Sequence, residues 1–92
     1  MKFSWHDEKR QTNLAKRGLD FADAAQVFDG ATFTFEDTRF EYNERRWVTI
    51  GLLGWDVVII VHTESEDEIR IISMRKGTKH EQELYFRNLY GP

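Results

Sequence analysis

The spacing of apolar positions changes along this chain, and each change marks an element. Phe3-Ser4-Trp5 alternates apolar and polar side chains, which predicts a short strand. His6 or Asp7 then caps a helix that runs to Gly18, a residue suited to a left-handed helix stop. Beyond Leu14 and Ala15 that helix has few apolar side chains, so it is expected on the surface. Asp20 caps a second helix, in which Phe21, Ala24, Ala25 and Phe28 repeat at i, i+3, i+4 and i+7 as a buried stripe, and Gly30 ends it.

From Ala31 to Phe35 the period falls to two and predicts a half-buried strand, followed by an acidic loop from Glu36 to Glu44. Trp47–Leu53, Trp55–Thr63 and Ile69–Met74 are three further strands, and their short links predict an antiparallel meander. Val57-Val58-Ile59-Ile60-Val61 is apolar on both faces, as a central strand covered on each side requires. Thr78 with Glu81 forms a capping-box pattern that opens a C-terminal helix carrying Leu84, Tyr85, Phe86 and Leu89. The expected fold class is α+β, with two N-terminal helices and one C-terminal helix packed on an antiparallel sheet, in a single domain over residues 1–92.

Composition supports a folded domain, with 40% hydrophobic residues, 14% aromatic residues and one Pro. The absence of Cys removes disulfides, thiolate catalysis and Cys-ligated metal from consideration. The longest apolar run, Val57 to Val61, falls far short of the roughly 20 residues of a membrane span, and the charged opening lacks a signal-peptide core. A cytoplasmic protein without membrane association is expected. The net charge of -3 conceals segregation along the chain. Residues 1–18 hold five Lys/Arg against two acids and residues 69–80 hold four with none, whereas residues 19–44 carry seven acids against Arg39 alone. If the fold joins the two basic segments, an acidic protein gains a cationic cleft; otherwise the pattern is ordinary charge scatter.

Lys9, Asn13 and Lys16 share one face of the first helix, where they can hold a nucleic-acid backbone or simply meet solvent. Arg70 and Arg75 bracket the last strand and Lys76, Lys79 and His80 follow at the final helix N-terminus, an arrangement that collects anions. Arg70 alternates in step with Ile72 and Met74, so a structural ion pair is an equal alternative for it. Glu81 and Tyr85, four residues apart, place a carboxylate beside a phenol for proton transfer, although the capping box alone accounts for Glu81 and a place at the core edge for Tyr85. Glu44-Arg45-Arg46 reads as a substrate clamp or a salt bridge. His6, His62 and His80 show no metal-ligand spacing, and His62 reads as a boundary histidine at a strand end.

Phe3-Ser4-Trp5-His6-Asp7-Glu8-Lys9, Asn13, Lys16-Arg17-Gly18, Phe21, Val27-Phe28, Glu44-Arg45, Gly51 and Arg70-Ile71-Ile72-Ser73-Met74-Arg75 together resemble the BrnT toxins of bacterial type II toxin-antitoxin systems. The family normally carries Lys-His-Gly where this chain has Lys16-Arg17-Gly18, and Ser-Ala-Arg where it has Ser73-Met74-Arg75. The resemblance implies a RelE-like fold and metal-independent, cofactor-free RNA cleavage that inhibits translation. It also implies neutralisation by a BrnA-like ribbon-helix-helix antitoxin, through which operator DNA is bound, in a complex that can contain a toxin dimer. On that basis Lys16, Arg45 and Arg75 are expected to stabilise the phosphate, Glu81, Tyr85 or His80 to move protons, and Lys9, Asn13, Arg17, Arg70 and Lys76 to hold RNA. Arg17 cannot shuttle protons as a histidine does, because guanidinium stays charged. A catalytically inactive, antitoxin-binding and autoregulatory protein is therefore the alternative.

Overall fold

Local sequence signals become elements in a computed structural model that describes residues 1–91. In chain order they are β1 (Lys2–Ser4), α1 (Asp7–Arg17), a 3₁₀ turn (Phe21–Asp23) leading into α2 (Ala24–Phe28), β2 (Phe33–Glu36), β3 (Trp47–Leu53), β4 (Asp56–Glu64), β5 (Glu68–Lys76) and α3 (Lys79–Tyr90). The five strands form one sheet in the order β1-β5-β4-β3-β2. The expected α+β architecture is present, and β2 to β5 pair antiparallel. β1 departs from the expectation by joining β5 in parallel, which the short hairpin links forbid elsewhere but a partner at the far end of the chain permits. β2 begins at Phe33, two residues later than expected, and the Ala31 carbonyl before it accepts from the Tyr85 hydroxyl at 2.8 Å.

Two caps behave as the sequence predicts. Gly18 ends α1 with φ 70°, its N–H on the Leu14 carbonyl at 2.9 Å. Thr78 and Glu81 close a reciprocal capping box at the start of α3. The second helix differs in phase: its opening 3₁₀ turn brings residues three apart onto one line, so the buried stripe is Phe21, Ala24 and Val27, with Ala25 and Phe28 partly exposed.

β4 explains the apolar run at its centre. Val58 and Ile60 join Leu19, Phe21, Ala24, Val27, Ile69, Ile71 and Met74 in a core under α2, while Val57 and Ile59 join Val48, Ile50 and Tyr85 in a second core under α3. Gly51 lets α2 approach the sheet, since a β-carbon there would lie 2.6 Å from Val27 Cγ1. Ile72 is skipped in the β4–β5 register, where Val61 pairs with Ser73 and His62 with Ile71. This bulge reverses the expected facing of Arg70, which pairs with Thr63 on the α3 side of the sheet, opposite Met74.

His62 is not a boundary residue but a fully buried one within β4, with Nε2 2.7 Å from the Thr49 hydroxyl, which is itself bonded to Thr34 at 2.8 Å. Its Nδ1 has no hydrogen-bond partner, and Glu64 Oε1 lies 3.5 Å away. Burial lowers its pKa from 6.5 to about 4, so the unfolded chain binds more protons between these values and stability must fall on acidification through that window. The expected loss approaches about 3 kcal/mol. Thermal melts from pH 7 to pH 4 should show this component in the native chain, and its persistence in His62→Gln would assign it to other groups.

Candidate functional site

The α3 side of the sheet is only partly roofed, because α3 covers one end of it. Strand pairing aligns two cross-strand rows on this face: Phe35-Val48-Val61-Ser73 and Phe33-Ile50-Ile59-Arg75. The first row floors an open cleft of about 820 Å³, walled by Lys9, Thr12, Asn13, Lys16 and Arg17 of α1 and by the segment Asp37-Thr38-Arg39. Arg75 and Glu81 close its α3 end. The basic first segment and the basic last strand thus meet in one cleft, and the acidic total charge does not describe its wall.

The cleft lining carries five bases and four acids, Glu8, Glu36, Asp37 and Glu81. Arg75 grips Glu81 through both terminal nitrogens at 2.7 and 2.8 Å, and Arg39 grips Asp37 through Nε and Nη2 at 2.9 and 3.0 Å. These hydrogen bonds hold the carboxyl groups of Glu81 and Asp37 down at about 2, so both are anions at neutral pH and weak bases. Asp37 also accepts from the Tyr42 hydroxyl and the Arg39 backbone, which makes it the organiser of its loop. Lys9, Lys16 and Arg17 have no carboxylate within ion-pair distance among the described residues. The Arg39 charge also acts unfavourably on Arg75, a repulsion that an anion between them would relieve.

Asn13 reaches the cleft wall but its amide is committed elsewhere. Past the end of β1, the outer edge of β5 is bare, and Asn13 pairs with it by accepting from Met74 N–H at 3.2 Å and donating to Met74 C=O at 2.9 Å. Its second N–H donates to the Leu19 carbonyl at 3.1 Å, fixing the chain after α1. Asn13→Ala strands these partly buried groups and should cost about 2 kcal/mol. Chemical unfolding checks this, and an unchanged midpoint would remove the clamp from the account.

The other expected residues scatter. Tyr85 is buried in the α3 core with its hydroxyl on Ala31, away from the cleft lining. Arg45 pairs with Glu36 at 3.4 Å, and Arg70 with Glu44 at 2.7 Å, so the Glu44-Arg45 signal resolves into two ion pairs beside the cleft. Lys76 lies 3.8 Å from Asp56, and His80 is exposed in the first turn of α3; neither lines the cleft. Sequence reasoning missed Arg39 and Phe35. Arg39's isolation as the only base among residues 19–44 was the available signal, whereas Phe35 reads as an ordinary strand aromatic. Among the described residues, no three His, Cys, Asp or Glu side chains converge as metal ligands, and no helix is long and apolar enough to cross a membrane.

A family model described as "Ribonuclease toxin, BrnT, of type II toxin-antitoxin system" matches residues 5–81. A crystal structure of the Brucella abortus ribonuclease toxin BrnT is similar at 32% sequence identity and a TM-score of 0.69, over 86% of this chain and 99% of that one. No curated protein sequence matches the chain.

Proposed function

Because the chain belongs to the BrnT family of ribonuclease toxins of type II toxin-antitoxin systems, we propose that its cleft binds RNA and cuts it without a metal ion. The observation that carries this reading is the gathering of Lys9, Lys16, Arg17, Arg39 and Arg75 around one open cleft, against the acids Glu8, Glu36, Asp37 and Glu81, on a protein of net charge -3. Cleavage proceeds by attack of the ribose 2′-hydroxyl on the adjacent phosphorus, with negative charge on the phosphoryl oxygens and loss of the next ribose oxygen. Lys16, Arg39 and Arg75 stabilise that charge, and Lys9 and Arg17 hold the flanking backbone. Arg45 and Arg70, outside the cleft, guide the strand towards it.

Proton transfer is the weak part of this site. Glu81 is the acid nearest the phosphate-binding arginine, but Arg75 keeps it a poor base, and no histidine lines the cleft. This observation favours a second reading, in which the chain retains the toxin's surfaces and has little or no turnover. In either case the family implies an antitoxin partner, for which we propose a BrnA-like ribbon-helix-helix protein that also carries the complex to operator DNA. Exposed Phe40, Trp55, Phe86 and Tyr90 offer aromatic surface of the kind enriched in protein interfaces.

The test is incubation of a defined RNA with purified chain in EDTA, paired with growth on induction with and without the neighbouring gene. Cuts in EDTA and arrest relieved by that gene are expected. A folded chain that leaves RNA intact but binds the neighbour's product supports the second reading.

A further inference from the structure

We infer that Phe35 is a stacking platform for an unpaired nucleobase next to the scissile phosphate. This rests on the RNA reading above and names the form of RNA the cleft accepts. Phe35 is 39% exposed and lies on the floor of the cleft, while Phe33 supports its ring from the neighbouring row at 5.5 Å between centroids. A strand aromatic exposed in a cleft whose wall carries Lys9, Lys16, Arg17 and Arg39 presents a π-face where a backbone would be held by its phosphates, the combination by which single-stranded nucleic acid is bound. An A-form duplex keeps its bases stacked within and has no use for such a face.

Position sets the register. From Phe35 to Ser73 the floor crosses three strand spacings, about 14 Å at roughly 4.8 Å each. Arg75 stands at the β5 end and Phe35 at the β2 end, so the stacked base belongs to a nucleotide flanking the cut and not to the reacting phosphate itself. The floor between them, Val48 and Val61, carries no side-chain polar group, and the Asn13 amide is spent on β5. Base edges over this floor therefore meet few donors or acceptors, and recognition is by stacking with weak base preference.

The experiment is fluorescence anisotropy of a short labelled single strand and of the matching duplex, with the native chain, Phe35→Leu and Phe35→Tyr. Leucine keeps an apolar side chain on β2 and removes the π-face, and tyrosine restores that face. The single strand should bind more tightly than the duplex to the native chain, lose about tenfold in Phe35→Leu at an unchanged melting temperature, and recover in Phe35→Tyr. Native affinity in Phe35→Leu, or equal weakening of both RNAs, would overturn the platform while leaving RNA binding in place. A folded native chain that binds neither RNA would overturn the RNA reading, and the platform with it.

Discussion

Arg75→Ala is expected to reduce RNA cleavage by about 10²–10³-fold, the usual cost of removing one charge-stabilising donor from a transition state. Arg75 is half of a fork-to-fork pair with Glu81, and the pair lines the same cleft as Lys16. Its remaining N–H groups are already oriented by Glu81, so a phosphate meets a guanidinium held in place. Alanine removes the donor and leaves Glu81 as an unpaired anion at the same spot, which repels phosphate as well as failing to bind it. Glu81→Gln separates the two effects: the side-chain oxygen still accepts from Thr78 N–H, as Glu81 does at 2.9 Å, but the competing charge is gone. RNA should bind more tightly to Glu81→Gln and more weakly to Arg75→Ala, and single-turnover cleavage with binding isotherms reads both. Arg75→Lys should fall between native and alanine, since an ammonium supplies charge without the planar fork. Native cleavage rates in folded Arg75→Ala would remove Arg75 from the mechanism.

Glu81 serves fold and site together, and this ties acid stability to function. Its carboxyl group is held at about 2 by Arg75 first and the Thr78 backbone next. Because the folded value lies below the unfolded one, the ionised pair contributes stability above the ordinary carboxylate range, and that contribution fades as pH falls through about 2.

What could be read in the sequence was what is decided locally. Caps at Gly18 and Thr78, the span of β3 and the doubly buried centre of β4 each depend on neighbours a few residues away, and all appear as expected. The misplaced features depend on remote partners. The Ile72 bulge, which turns Arg70 to the other face, exists only in the pairing of β4 with β5. Asn13 looks like a backbone ligand for RNA on a helical wheel, yet the bare edge of β5 claims it. His62 ends an apolar run in sequence but lies under α2, edge-on to Phe28 at 5.1 Å. Arg39 sits in a run of acids and lines the cleft from a loop tied together by Asp37, which accepts from it and from Tyr42.

Arg17→His is the substitution expected to raise activity. The native residue lines the cleft at the C-terminal end of α1, one position from Lys16. A guanidinium there holds phosphate but exchanges no proton at any ordinary pH, while Asp37 and Glu81 are bound to arginines and stay ionised. An imidazole titrates near 6.5 and can both accept the 2′-hydroxyl proton and supply one to the leaving oxygen. A positioned acid-base group contributes about 10²–10⁴-fold, so the lower end, about 10²-fold, is the expected gain given that one phosphate contact is exchanged for it. The rate should also acquire a pH dependence near neutrality that the native chain lacks. Arg17→Lys is the control, since it keeps the charge, cannot shuttle a proton near neutral pH and should show neither effect. Cleavage rates measured from pH 5 to pH 9 on the three chains distinguish the outcomes: a gain confined to Arg17→His makes the native chain a binding-competent toxin limited by proton transfer, whereas equal rates in all three place the general base elsewhere in the cleft.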